Sequence, residues 1–224
     1  MISSILQKIA SDYPAAKIEP FSKNELANYI RAEAPTEFRQ VVDRSDIDVQ
    51  GSPGQGTWAD VPWIAFFNRE ITLSARHGYY LVYLFDADMR RVSLCFAQGV
   101  TAVREEFKRH SRREMLRRSA LIRDRLHQFS SKFVHGPTEF GGTTQLAKDY
   151  NASVALYKSY DPQKLPSDSV LQHDLEMMFQ AYDALFENAG TDNIETAVDA
   201  IADDDVRSEF QTIEEKKRYI RHNK

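Results

Sequence analysis

The chain has 224 residues, 42% hydrophobic, 11% aromatic and 28% charged, which suits one large domain, or one domain with an appended segment, built around a real core. No apolar run approaches the roughly 20 residues of a membrane span, and from the start Met1-Ile2-Ser3-Ser4 a secretory leader is not expected. The single cysteine, Cys95, excludes an internal disulfide and a Cys-rich zinc site, so the expectation is a cytoplasmic protein with no membrane partner. The net charge of −4 conceals an asymmetry: nine Arg/Lys against four Asp/Glu from Arg104 to Arg125, and fifteen acids against two bases from Asp161 to Glu215. Charge acts over a Debye length of about 8 Å at physiological salt, so the overall balance neither excludes nor favours nucleic acid.

In chain order, residues 1–34 have helical spacing, with Ile2, Ile5, Leu6 and Ile9 in one stripe and Leu26, Tyr29 and Ile30 in another. Pro14 and Pro20 are expected to separate these helices and Pro35 to end the second. Phe38–Val49 alternates loosely and reads as a strand entering the loop Gln50-Gly51-Ser52-Pro53-Gly54-Gln55-Gly56-Thr57, which holds three of the nine glycines. The runs 61–67, 78–85 and 92–96 are rich in aromatic and β-branched residues and bounded by turn formers. They read as neighbouring strands, with Asp86-Ala87-Asp88 as the turn of a hairpin. From Val100 the spacing becomes helical, through Val103, Phe107, Leu116, Leu121, Ile122, Leu126 and Phe129. Gly136-Pro137 and Gly141-Gly142 mark a loop, Ala152–Leu156 a short strand or helical turn, and Leu171–Phe186 a helix closed at Asn188-Ala189-Gly190. The expected fold is α+β: a curved, mainly antiparallel sheet over residues 38–97, flanked by helices from 101–129 and 171–188. Residues 1–190 form the domain, and 191–224 read as an acidic-to-basic helical linker.

Several motifs imitate chemistry that their surroundings do not support. Gly51-x-x-x-x-Gly56 has phosphate-loop spacing, but Thr57 stands where the phosphate-binding lysine belongs, and a turn needing positive φ is the better account. Asp205 with Glu214-Glu215-Lys216 imitates a metal-dependent nuclease, a chemistry that needs carboxylates converging from a rigid hairpin. The helical, acidic setting argues instead for a solvated face. The six histidines have no metal-ligand spacing, and Cys95 sits in an apolar strand, so no catalytic group, metal or cofactor is expected. The basic segment with Arg112-Arg113 and Arg117-Arg118 suits DNA phosphates or a merely solvated helix. Trp58, Trp63, Tyr79, Tyr80 and Tyr83 read equally well as core or as stacking surfaces.

Gly54-Gln55-Gly56-Thr57-Trp58-Ala59-Asp60-Val61-Pro62-Trp63-Ile64-Ala65-Phe66, followed by Gly78-Tyr79-Tyr80-Leu81-Val82-Tyr83-Leu84-Phe85, resembles the N-terminal DNA-binding domain of the McrB family of methylcytosine-specific restriction proteins. The segment is closer still to the related domains that precede HNH endonucleases. The later Leu84-Phe85-Asp86-Ala87-Asp88-Met89-Arg90 and Gln98-Gly99 fit the same pattern, and the resemblance spans roughly Ile18 to Asn188. It implies a reader of double-stranded DNA, without nuclease chemistry of its own, that flips a 5-methyl or 5-hydroxymethyl cytosine into an aromatic pocket. A nuclease domain, in cis or in trans, would do the cutting. Carried over by position, the pocket residues are Trp63, Tyr80, Leu84 and Gln55, the last a departure from the family's tyrosine, with Trp58 as a substitute face. Ser52, Gly54, Gly56 and Thr57 would approach the DNA backbone, with Arg44, Arg69 and Arg76 as further phosphate contacts. Two other classes compete with this reading. One is a nuclease with an unrecognised site, and the other is a protein-interaction module whose aromatic residues are all core.

Overall fold

A computed structural model describes residues 1–189. The expected linker at 191–224, the helix closure at Gly190 and the Asp205…Glu214-Glu215-Lys216 motif lie outside the described residues. Six strands form one sheet, antiparallel at every pairing. They are β1 (Ile47–Ser52), β2 (Trp63–Asn68), β3 (Tyr79–Phe85), β4 (Val92–Gln98), β5 (Val134–His135) and β6 (Val154–Tyr160), in the order β1-β2-β3-β4-β6-β5. The helices are α1 (Ile2–Ala16), α2 (Glu25–Asn28), α3 (Ala34–Val41), α4 (Val100–Phe107), α5 (Ser111–Arg125), α6 (Gln145–Ser153) and α7 (Asp168–Ala189). The fold is thus α+β, with a six-stranded antiparallel sheet and flanking helices.

Side chains alternate across a strand, so β2, β3 and β4 divide their apolar residues between two faces. Ile64, Phe66, Tyr79, Leu81, Tyr83, Phe85, Leu94 and Phe96 join the large core beneath α1, α3 and α7. Ala65, Phe67, Tyr80, Val82, Leu84, Cys95 and Ala97 form a second, smaller core on the opposite face, covered by Phe140 and by Ala147 of α6. Each fully buried large apolar side chain contributes about 1.5–3 kcal/mol, and seven consecutive buried positions in β3 account for its unbroken apolar run. The Tyr182 hydroxyl donates to the Tyr79 carbonyl at 2.8 Å, fastening α7 to the head of β3.

Pro20 lies between α1 and α2 as expected, but Pro14 and Pro35 act differently from expectation. Pro14 lies inside α1, where the buried stripe Ile2, Ile5, Leu6, Ile9 and Tyr13 outweighs one missing backbone bond. Pro35 does not end the second helix, because the π turn directly before α3 carries the chain on into it despite the missing N–H. A single π-helical turn, Tyr29–Glu33, joins α2 to α3, so Phe38 completes a helical face and the first strand starts only at Ile47. The ambiguous stretch at 152–156 divides between the last turn of α6 and the start of β6. The basic segment is broken at Lys108, held at φ 48°, which separates α4 from a 3₁₀ turn and α5.

Gly51 is where β1 meets the π turn: a Cβ there would lie 1.8 Å from the Ile30 carbonyl oxygen. Backbone opposes backbone, so neither partner can rotate away. Gly51→Ala is expected to destabilise the fold by about 3 kcal/mol, the upper part of the usual overpacking range. A urea unfolding midpoint equal to that of the wild type contradicts this packing.

Candidate nucleic-acid interface

The loop between β1 and β2 is tied down at its base and open at its tip. The Ser52 hydroxyl oxygen accepts from the Gly54 N–H at 3.3 Å, and the Ala59 N–H donates to the Pro53 carbonyl at 2.8 Å. The Tyr13 hydroxyl, reaching from α1, lies 3.0 Å from the Pro53 carbonyl and 2.8 Å from that of Ala59. Gly54, at φ 125°, has no room for a Cβ, because the Thr57 carbonyl oxygen would be 2.0 Å away. Gly56, at φ 72°, faces open space, and Gln55, Gly56 and Thr57 are exposed. The loop therefore presents main chain to the outside on a fixed base.

Trp58 and Trp63, close in sequence, go to opposite sides of the sheet. Trp58 belongs to the large core. Its ring meets Tyr13 and Phe21 edge-on at 5.2 and 5.1 Å, and its indole N–H donates to the Glu19 carbonyl at 3.0 Å. Trp63 lies against the second core and pairs across the ladder with Leu84, while Tyr80 pairs with Ala97. Trp63, Tyr80 and Leu84 line one cavity together with Val82, Ala97, Tyr150 and Ser153. Gln55 is not among its walls.

This cavity is small and narrowly open. Its volume is about 10 Å³, room for one water and far less than a pyrimidine needs. Trp63 is partly exposed and Tyr80 is buried. Burial pushes the Tyr150 phenol up to about 12, with a hydrogen bond from Trp63 acting against it. The Tyr80 phenol is also raised by burial, and its hydroxyl donates to the Ala75 carbonyl at 3.2 Å. The lining is thus aromatic, hydroxyl-bearing and uncharged at neutral pH, a chemistry suited to a neutral ring with polar edges. Tyr150 and Ser153 escaped the sequence reading because α6 follows an irregular stretch and ends directly in β6. Val82 and Ala97 were recoverable from two-residue alternation and ladder register.

The covering segment is fastened by Asp60. Its carboxylate accepts from the backbone N–H groups of Thr143 and Thr144, at 3.2 and 3.1 Å, and pairs with Lys17 at 3.3 Å. The Thr144 side chain in turn caps α6 by accepting from the Ala147 N–H. Gly142 fits against this junction, since a Cβ there would lie 2.3 Å from the Ala147 Cβ.

The arginines lie elsewhere. Arg44 pairs with Asp46 and Asp183, both at 2.7 Å, and covers the Phe179 ring, so its charge is already matched within the fold. Arg69 is exposed just beyond β2, and Arg76 pairs with Glu105 at 3.3 Å. Both stand at the end of the sheet where β2 stops and β3 starts, with the Gly-rich loop at the other. The seven residues of β3 separate the two ends by about 20 Å.

Burial alone raises the Asp60 carboxyl, but the Thr144 N–H and the Lys17 ammonium outweigh it and hold its pKa below the usual carboxylate value. Its contribution is therefore fully present above the unfolded value of about 4 and fades as pH falls through the lower folded value. Asp60→Ala is expected to release the cover, costing about 1–2 kcal/mol and speeding amide exchange at Thr143 and Thr144. Wild-type exchange rates in a folded variant contradict this fastening.

No helix among the described residues is long and apolar enough to cross a membrane, and no curated protein matches the chain. The sequence profile of the MrcB-like N-terminal domain family matches residues 8–187, from within α1 to within α7, and so spans both cores, the Gly-rich loop and the cavity. The chain belongs to the MrcB-like N-terminal domain family, whose members are DNA-binding domains, not catalysts.

Proposed function

We propose that the chain reads 5-modified cytosine in double-stranded DNA by taking the flipped base into the space between Trp63, Tyr80 and Tyr150, as the recognition part of a modification-dependent restriction system. The observation that carries this reading is the convergence of Trp63, Tyr80 and Leu84 on one uncharged cavity with Tyr150. A base drawn from the duplex loses a few kcal/mol of stacking and pairing, and aromatic faces are what can replace it. The C5 substituent of the cytosine would meet Leu84 and Val82, and the phenols offer donors and acceptors to the polar edge.

The small size of the cavity makes this a two-step event. Tyr150 and the cover from Gly141 through α6 withdraw as the base arrives, and the Asp60 bonds, the Arg104–Asp149 pair and the Ser119–Ala152 bond contribute to the cost of that movement. The exposed main chain at Gly54, Gly56 and Thr57, with Ser52 at the base of the loop, would meet the DNA backbone at one end of the sheet, and Arg69 and Arg76 at the other. Gln55, at the open tip, would fill the gap the base leaves or contact its former partner. A nuclease domain, in cis or in trans, would cut.

Trp63→Ala is expected to weaken binding to a modified duplex by about 1–3 kcal/mol, the value of one base stack, and to bring it close to binding of the unmodified duplex. Anisotropy titrations with matched oligonucleotides check this. A folded variant that keeps the wild-type preference for modified cytosine contradicts the assignment of the cavity.

A further inference from the structure

We propose that the corner between α4 and α5, carrying Lys108, Arg109, Arg112 and Arg113, is a second surface for the DNA sugar–phosphate backbone, at the end of the sheet away from the Gly-rich loop. The inference rests on DNA binding by this chain and not on which base the cavity accepts.

Four observations converge on this corner. First, all four side chains are exposed, and among the described residues no carboxylate pairs with any of them. Second, the nearby acids are largely engaged elsewhere. Buried Glu114 holds both Arg117 and Arg118 at 2.8 Å, Glu105 holds Arg76, and Asp149 holds Arg104. Those pairs tie up three acids with other arginines and leave Lys108, Arg109, Arg112 and Arg113 unmatched by them.

Third, the corner is built onto the loop that carries Arg69 and Arg76. The Ala102 N–H, in the first turn of α4, donates to the Arg76 carbonyl at 2.9 Å, and the Gly99 N–H donates to the Gly78 carbonyl at 2.8 Å. Gly99 packs so close that a Cβ would lie 2.3 Å from the His77 backbone nitrogen. Two stretches distant in sequence thereby form one cationic end, and this occurs in a chain whose net charge is −4. Fourth, Lys108 is held at φ 48°, a conformation rare for a residue with a side chain. That break gives the Lys108–His110 turn its own direction, off the axis of either helix. Strain of this kind persists where the surroundings enforce it.

With the Gly-rich loop about 20 Å away along the strands, a duplex lying across the molecule would touch main chain at one end and guanidinium groups at the other. Arginine-rich surfaces suit this role, since each neutralised phosphate releases condensed counterions.

The test is a salt series on the full chain with Arg112→Ala/Arg113→Ala, using an unmodified and a cytosine-methylated duplex of the same sequence. Both positions are exposed and helical, and alanine is the stronger helix former, so the fold is retained; circular dichroism checks this. Affinity for both duplexes is expected to fall by the same factor, roughly tenfold or more at about 0.1 M salt, with the slope of log Kd against log salt reduced by about 1.8. An unchanged slope, or a loss confined to the methylated duplex, overturns the proposal, as does a wild-type chain that binds neither duplex. Wild-type binding without preference for the methylated duplex counts against base reading and leaves this proposal standing.

Discussion

The structure depends on a sheet that is apolar on both faces and so needs two covers. One face has a thick cover: α1, α3 and α7 bury their stripes against Phe66, Tyr83 and Phe96. The other has a thin one, in which Phe140, Ala147 and Tyr150 lie over Tyr80, Val82, Leu84 and Cys95. The thin cover is fastened at its start by hydrogen bonds to a single carboxylate, Asp60. Each such bond contributes about 1 kcal/mol net, somewhat more where the acceptor is charged. Moving the Asp60-fastened start of that cover therefore costs less than moving the helical cover, which would expose the larger core.

This inequality gives the two faces different roles. The helical face supplies the rigidity that fixes the ladder register, hence the pairing of Trp63 with Leu84 and of Tyr80 with Ala97. The bulge between Phe96 and Ala97 shifts β6 against β4 beside the cavity, where Ser153 and Tyr150 come from the end of α6. Charge is separated from this apolar chemistry. The cavity is neutral, Asp60 beside it serves as a fastener, and four exposed cations without a carboxylate partner among the described residues, Lys108, Arg109, Arg112 and Arg113, lie together at the α4–α5 corner. Under the proposed function, phosphate attraction and base discrimination would be altered independently, by salt in one case and by C5 chemistry in the other.

The features legible in the sequence are those set by local periodicity. The apolar run 78–85 marked a strand, the Asp86–Asp88 turn marked the β3–β4 hairpin, and the stripes of α1 and α7 were readable from their spacing, whereas Tyr80 and Leu84 were singled out by the family resemblance. Features set by tertiary packing were not legible. Pro14 and Pro35 looked like helix ends because proline lacks a donor, yet burial of Tyr13 and Phe38 keeps the chain helical around them. Trp58 and Trp63 share one sequence context, and only the turn of the loop sends Trp58 to Tyr13 and Phe21. Arg44 looked available until α7 supplied Asp183 across a long stretch of chain. Tyr150 had no signal of its own, since its role comes from the strand that α6 happens to cover.

The central claim is that the thin cover gives way to a base leaving its duplex, and it can be watched directly. A duplex in which 2-aminopurine, paired with thymine, stands directly beside a single 5-methylcytosine loses the stacking that quenches the probe when that neighbour is extracted. The account predicts a rise in fluorescence on saturation with protein, absent for the unmethylated duplex and absent with a Trp63→Ala chain at matched occupancy. Saturated binding to the methylated duplex with no change in fluorescence would contradict it.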